Sequence, residues 1–176
     1  VVVGAILTQN TSWANVERAI ANLKKERFLT FQKMLRLDEK KLARLIRPAG
    51  YYNIKAKRLK NFLAFFNKNY AGSFKRMKRK SAAVLRRELL SVNGIGPETA
   101  DSILLYALGK PVFVVDTYTR RIMSRHRLSS ARDGYEAIQS FFMDHLPKDA
   151  GLFNEYHALL VRCAKELCKK KKENCK

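Results

Sequence analysis

Little in this chain bends or breaks a helix: its 176 residues include 8 Gly and 4 Pro. Apolar residues recur at helical spacing along most of its length, so an all-α fold is expected. No apolar run approaches the roughly 20 residues a membrane-spanning helix needs, and no membrane partner is expected. The chain shows no secretory leader. Acidic residues are also few, 15 Asp and Glu against 36 Lys and Arg, a formal charge of +21. Such a field favours polyanions, either nucleic acid or an anionic surface. The three cysteines, Cys163, Cys168 and Cys175, fall within the last 14 residues. An odd, clustered set is a poor disulfide framework and points to a reducing, cytoplasmic setting. The chain begins Val1-Val2-Val3 without Met and stops at Cys175-Lys176, and so reads as a piece cut at both ends. Its size suits one large domain or two small lobes around a cleft, with no need of a disulfide scaffold.

Val16, Ile20 and Leu23 mark a helix after Thr11-Ser12, either of which can cap it. Leu59, Leu63 and Phe66 mark another after Gly50, and Leu85 with Leu89 a third from near Ser81. Ile103, Leu104, Ala107 and Leu108 mark the next, Ile138, Phe141 and Phe142 one before Pro147, and a last helix runs from near Asp149 to the cysteines. Val112-Phe113-Val114-Val115 is β-branched but too isolated to make a sheet, so it is expected as an extended connector. The run Lys169 to Lys172 is either a solvated basic end or a phosphate contact.

The most informative stretch is Leu90-Ser91-Val92-Asn93-Gly94-Ile95-Gly96-Pro97-Glu98-Thr99-Ala100. One helix is expected to end at Gly94 and the next to start with Pro97 at its first position. The first N–H groups of that second helix suit a phosphate. Gly94 and Gly96 allow close backbone approach, and Ile95 between them can plug the hairpin core.

Val92 to Ala100 followed by Val114-Val115-Asp116-Thr117 resembles the endonuclease III branch of the helix-hairpin-helix (HhH-GPD) DNA glycosylases. That family carries L-P-G-V-G-x-K-T-A and then V-D-T with its essential Asp. The family's Lys-to-Asp spacing is 18 residues, as is the step from Glu98 to Asp116 (116 − 98). Ala5 to Thr11 is similar to the family's early helix end with its Gln, and Gly50 to Ala56 to its G-L-Y-N-x-K-A segment. Within the family, the 3-methyladenine glycosylase III group resembles this chain in L-T-Q-N-T (Leu7–Thr11), in R-P-x-G-x-Y-N-x-K-A-K-R-L (Arg47–Leu59) and in G-I-G-x-E-[ST]-A-D (Gly94–Asp101). Bifunctional members place a Schiff-base Lys where this chain has Glu98, and a carboxylate cannot form an imine. Adenine-removing members carry an early-helix Glu where this chain has Gly4.

The resemblance implies an all-α, two-lobed glycosylase fold. One lobe, 1–110, ends in the helix-hairpin-helix at about 81–108, and the second, 111–176, carries the catalytic Asp, with a cleft facing DNA. It implies a monofunctional N-glycosylase of base excision repair for damaged bases, alkylated purines above all, in double-stranded DNA, acting as a monomer in a prokaryotic cytoplasm. The rivals are a mismatch or oxidised-base glycosylase and a non-catalytic module that senses distorted duplex. Asp116 is the candidate catalytic carboxylate, although Asp before Thr117-Tyr118-Thr119 is equally an ordinary helix N-cap, and one side chain can serve both ends. Trp13 and Glu98 are assigned to the base pocket. Trp13 is either a stacking wall for an electron-poor base or a core residue. Gln9 is either the filler of the gap left in the duplex or a helix-end amide. Tyr51 is either a wedge or a surface aromatic. Gly94, Ile95, Gly96 and Thr99 belong to the DNA-binding hairpin. Lys55, Lys57 and Arg58 are phosphate contacts or a solvated face. His157 is read as a core or surface histidine. Cys168 and Cys175 match the first spacing of the family's C-x6-C-x2-C-x5-C loop, a partial ligand set for a [4Fe–4S] cluster. That cluster is expected in a full-length protein but not in this piece, and catalysis needs no cofactor.

Overall fold

A computed structural model describes residues 1–130 and 132–170, and among them the secondary structure is helical. The chain divides into two units, Val1–Ile103 and the part from Leu104 onward. In the first unit, α1 is Val2–Leu7, α2 Trp13–Lys25, α3 Phe31–Arg36 and α4 Glu39–Leu45, followed by a 3-10 turn, Arg47–Ala49. The long α5, Tyr52–Tyr70, packs against α1, α3, α4 and α6 (Phe74–Lys78). Its Phe62 and Phe66 rings stack at 5.6 Å, and Phe31 meets Phe66 edge-on at 5.2 Å. Helices α7, Ala82–Leu90, and α8, Pro97–Ser102, form the hairpin, and α8 also packs on α1. A π-helical stretch, Ile103–Ala107, continues from α8.

The second unit holds α9 (Thr117–Arg125), α10 (Tyr135–His145) and α11 (Ala150–Glu166). Val112 to Val115 is extended and buried, as the β-branched run implied. Phe113 sits at the centre of this unit's core, stacked at 4.0 Å on Phe142 and edge-on at 5.6 Å to Phe153. Helix α11 packs on α9.

Short polar side chains start several helices by accepting the third backbone N–H: Asp38 from Lys41, Ser81 from Val84, Asp116 from Thr119 and Asp149 from Leu152. The expected cap at α2 differs. Ser12 occupies the N-cap position without a side-chain bond, and the Thr11 hydroxyl accepts instead from Asn15 at 3.0 Å. Helix α7 ends at Leu90 and not at Gly94. Turn bonds from Val92 N–H to the Leu89 carbonyl and from Ile95 N–H to the Val92 carbonyl, both 3.0 Å, replace the helical ladder there. The short helices α3, α4 and α6 carry too few turns to declare a periodic stripe.

Candidate functional site

In the first unit the hairpin is held from two sides. Ile95 is buried and plugs the turn, and Arg86 forks onto the fully buried Asp101 at 2.8 and 3.2 Å, joining α7 to α8. From the end of α1, Gln9 donates Nε2 to the Gly94 carbonyl at 3.1 Å and to the Thr99 hydroxyl at 2.9 Å, while its Oε1 accepts from Arg58. Gln9, Arg58, Gly94 and Thr99 therefore form one polar strut under the hairpin. The arrangement fits the helix-end amide reading of Gln9, with Nε2 engaged by the hairpin and Oε1 by Arg58 of α5. Arg58 is half-buried against the turn and not extended into solvent. Gly94 has φ +93°, and a Cβ built on it would lie 2.2 Å from Arg58 Cγ. Gly96, the N-cap of α8, faces open space, with no atom within 4 Å of such a Cβ. Glu98 is exposed in the first turn of α8.

Lys55 corrects the sequence reading. It is 1% exposed, and its ammonium donates to the Leu7 carbonyl at 2.8 Å and to the Ala49 carbonyl at 2.7 Å. It is neither a phosphate contact nor part of a solvated face. It satisfies backbone acceptors at the ends of α1 and the 3-10 turn. Burial, with the Arg58 charge behind it, lowers its pKa from the ordinary lysine value. Lys60 does the same for α3, bonding the Leu35 and Leu37 carbonyls at 2.6 and 2.9 Å. Lys57 is exposed, as both the phosphate-contact and the solvated-face readings require.

Trp13 is not core: it is 51% exposed, with Nε1 donating to Glu17 at 2.9 Å. One edge of the indole lies on α1, 3.3 Å from where a Cβ on Gly4 would stand, so a larger residue at Gly4 would press on the ring. Tyr51 is 69% exposed and left-handed, with φ 45° and ψ 34°, at the entry to α5. A non-glycine residue in that region is a small strain held by its surroundings.

Asp116 lies in the second unit, before α9. Its Oδ1 accepts from Thr119 N–H at 2.7 Å and from the Thr119 hydroxyl at 3.0 Å. Its Oδ2 stands 3.5 Å from Nε2 of His157 on α11, too long for a made hydrogen bond. On its other nitrogen, Nδ1, His157 meets the Tyr106 hydroxyl at 2.7 Å. Burial pushes the Asp116 carboxyl up, but His157 and the Thr119 donors outweigh it and hold the pKa below the ordinary aspartate value. Burial, and then the Asp116 charge, pushes the Tyr106 phenol up, so its proton stays on. Sequence reasoning missed Tyr106 and His157. The signal was there: His157 follows Phe153 by four residues and precedes Ala164 by seven, on the buried stripe of α11.

Cys168 is buried, with Sγ 3.2 Å from Arg125 Nη1 and its carbonyl bonded by Arg121 at 2.8 Å. Cys175 lies outside the described residues. Among the described residues no three His, Cys, Asp or Glu side chains gather as a metal site. No described helix is long and apolar enough to cross a membrane.

The sequence pattern of the HhH-GPD superfamily of base excision DNA repair proteins matches residues 3–148. A Methanocaldococcus jannaschii protein named "Putative DNA repair glycosylase MJ1434" is 55% identical, over 99% of this chain and 81% of its own length. Endonuclease III of Thermotoga maritima is 27% identical over 99% of this chain and 76% of its own. Among solved structures, H. pylori 3-methyladenine DNA glycosylase (MagIII) bound to 1,N6-ethenoadenine is similar with TM-score 0.83 and 32% identity, covering 94% of this chain and 83% of that one. An endonuclease III–DNA complex shares the fold, with TM-score 0.84 at 22% identity. With the helix-hairpin-helix in place and the family pattern spanning most of its length, the chain belongs to the HhH-GPD superfamily of base excision DNA repair glycosylases.

Proposed function

We propose that the protein is a monofunctional N-glycosylase that removes alkylated purines, with Asp116 as its catalytic carboxylate. The observation that carries the reading is the divided Asp116 side chain: one oxygen is anchored by Thr119, while the other makes no closed hydrogen bond and faces His157 at 3.5 Å. A purine alkylated on a ring nitrogen is cationic, and it leaves as a neutral base without a general acid. The enzyme's task is then to accept the flipped nucleotide, stabilise positive charge developing on the sugar and direct a water to C1′. A carboxyl held below its ordinary pKa is a weak base, so Asp116 acts mainly by its charge and by orienting the water. Trp13 offers an exposed indole face of the kind that stacks on an electron-poor base. A related enzyme of H. pylori is named for 3-methyladenine, and its structure holds 1,N6-ethenoadenine.

Two features argue against lyase chemistry. Glu98 stands where bifunctional relatives carry the Schiff-base lysine. The buried amine of Lys55 is already engaged by two carbonyls.

The test is incubation of purified protein with N-methylated duplex, measuring free base by chromatography, alongside borohydride trapping on abasic duplex. Release of methylated purine with no covalent adduct is expected. An efficient trapped adduct would reject the monofunctional assignment. Absence of base release from any modified duplex would favour a non-catalytic damage-binding module.

A further inference from the structure

We propose that His157, held at Nδ1 by the Tyr106 hydroxyl, is a positioning residue that presents Nε2–H to Oδ2 of Asp116. The proposal rests on Asp116 being the catalytic carboxylate and adds the group that governs its second oxygen. Three elements meet here: the π-helical stretch carries Tyr106, α11 carries His157, and Asp116 precedes α9.

The tautomer follows from the partners. His157 Nε2 is buried and makes no hydrogen bond, while Oδ2 stands 3.5 Å away. The Tyr106 phenol keeps its proton, so it can donate to Nδ1 across their 2.7 Å contact. If Nδ1 instead donated to the phenol oxygen, the Nε2 lone pair would face a carboxylate lone pair inside a buried site. That arrangement is repulsive and leaves Nε2 without a donor to accept from. A neutral ring therefore carries its proton on Nε2. An imidazolium, with Nδ1–H donating to the phenol oxygen, presents the same Nε2–H to Oδ2. In either form the Nε2–H orients Oδ2. Bonds of this kind are often long in the free enzyme and close on the reacting complex.

The titratable groups facing Asp116 are His157 from α11 and Tyr106 from the π-helical stretch, while Thr119 contributes neutral donors from α9. Of these, His157 and Thr119 favour the ionised carboxylate. Removing the imidazole should therefore raise the pH at which Asp116 loses its charge. A role confined to packing would not move that pH.

The experiment compares wild type, His157→Gln, His157→Leu and Tyr106→Phe in single-turnover release of N3-methyladenine from duplex DNA across pH. His157→Leu is expected to slow release by roughly 10- to 100-fold and shift the acid limb to higher pH. His157→Gln can still donate an amide N–H toward Oδ2 and is expected to recover much of the rate. Tyr106→Phe should fall between. Independently of any substrate, 15N spectra of the free wild-type protein should show a proton on Nε2 of His157. A ring protonated on Nδ1 alone overturns the proposal, as does a folded His157→Leu with wild-type rate and acid limb. Asp116→Asn in the same assay separates the two claims. If it stays active, the catalytic reading of Asp116 fails. If it is inactive while the His157 variants match wild type, only the positioning role fails.

Discussion

Replacing Gly94 with Ala probes whether the hairpin is built as the structure indicates. At φ +93° an L-residue is strained by about 1–3 kcal/mol. The added methyl would also lie 2.2 Å from Arg58 Cγ and 2.9 Å from Cδ. These atoms belong to the stem of the side chain, so the whole arginine must change rotamer and leave the Gln9 oxygen. A hydrogen bond to a charged group contributes about 1.5–3 kcal/mol. Together the two effects come to roughly 2.5–6 kcal/mol, a large part of the roughly 5–15 kcal/mol typical of a whole protein. Gly96→Ala is the control. Its φ is −93° and its Cβ direction is open, so stability should change by no more than about 1 kcal/mol. It nevertheless adds bulk where the α8 backbone would meet a phosphate. Urea unfolding and the salt dependence of binding to undamaged duplex measure both variants. Gly94→Ala as stable as wild type would refute the packing argument. Gly96→Ala with full duplex affinity would refute phosphate docking at the hairpin.

Lys55→Met should cost about 2–5 kcal/mol in urea unfolding, since two buried carbonyls lose a charged donor. Its salt slope for duplex binding should equal wild type; a drop of about 0.9 would restore the phosphate-contact reading. Trp13→Ala, at a half-exposed position, should cost less than the roughly 3–5 kcal/mol of a buried tryptophan. It should slow excision of cationic bases by about 5- to 150-fold, and unchanged excision would remove Trp13 from the pocket. Asp116 has a folded pKa below its ordinary value, so it adds stability above that ordinary value and loses it as pH falls through the folded one. Acid unfolding of Asp116→Asn should lack this component, and parallel wild-type and variant curves would contradict it.

The hairpin was legible because its chemistry is local: a Gly-rich turn, Pro at the first helical position and an apolar plug each declare themselves within nine residues. The Asp116 cap was legible for the same reason. Lys55 was not, because the carbonyls it serves lie 48 and 6 residues away, and lysine in a basic chain reads as solvated surface. The same long range hid the Gln9 strut, which reaches 85 and 90 residues to the hairpin. His157 was read only as a core or surface histidine, and its place on the apolar stripe of α11 leaves it half-buried. Its use became visible only when Tyr106, 51 residues earlier, supplied the bond that orients it. Trp13 went the other way: its helical spacing suited a core residue, but Gly4 leaves the indole lying across α1 with half its surface open.

The central claim is tested most directly by Asp116→Asn, assayed in parallel for base release from N-methylated duplex and for affinity to abasic duplex. The amide keeps an oxygen that can accept from Thr119, so the cap of α9 survives while the charge is lost. Base release should fall to background, and abasic-duplex affinity should stay within a few-fold of wild type. A folded variant that releases methylated purine at near-normal rate would contradict the claim and leave Asp116 a helix cap alone.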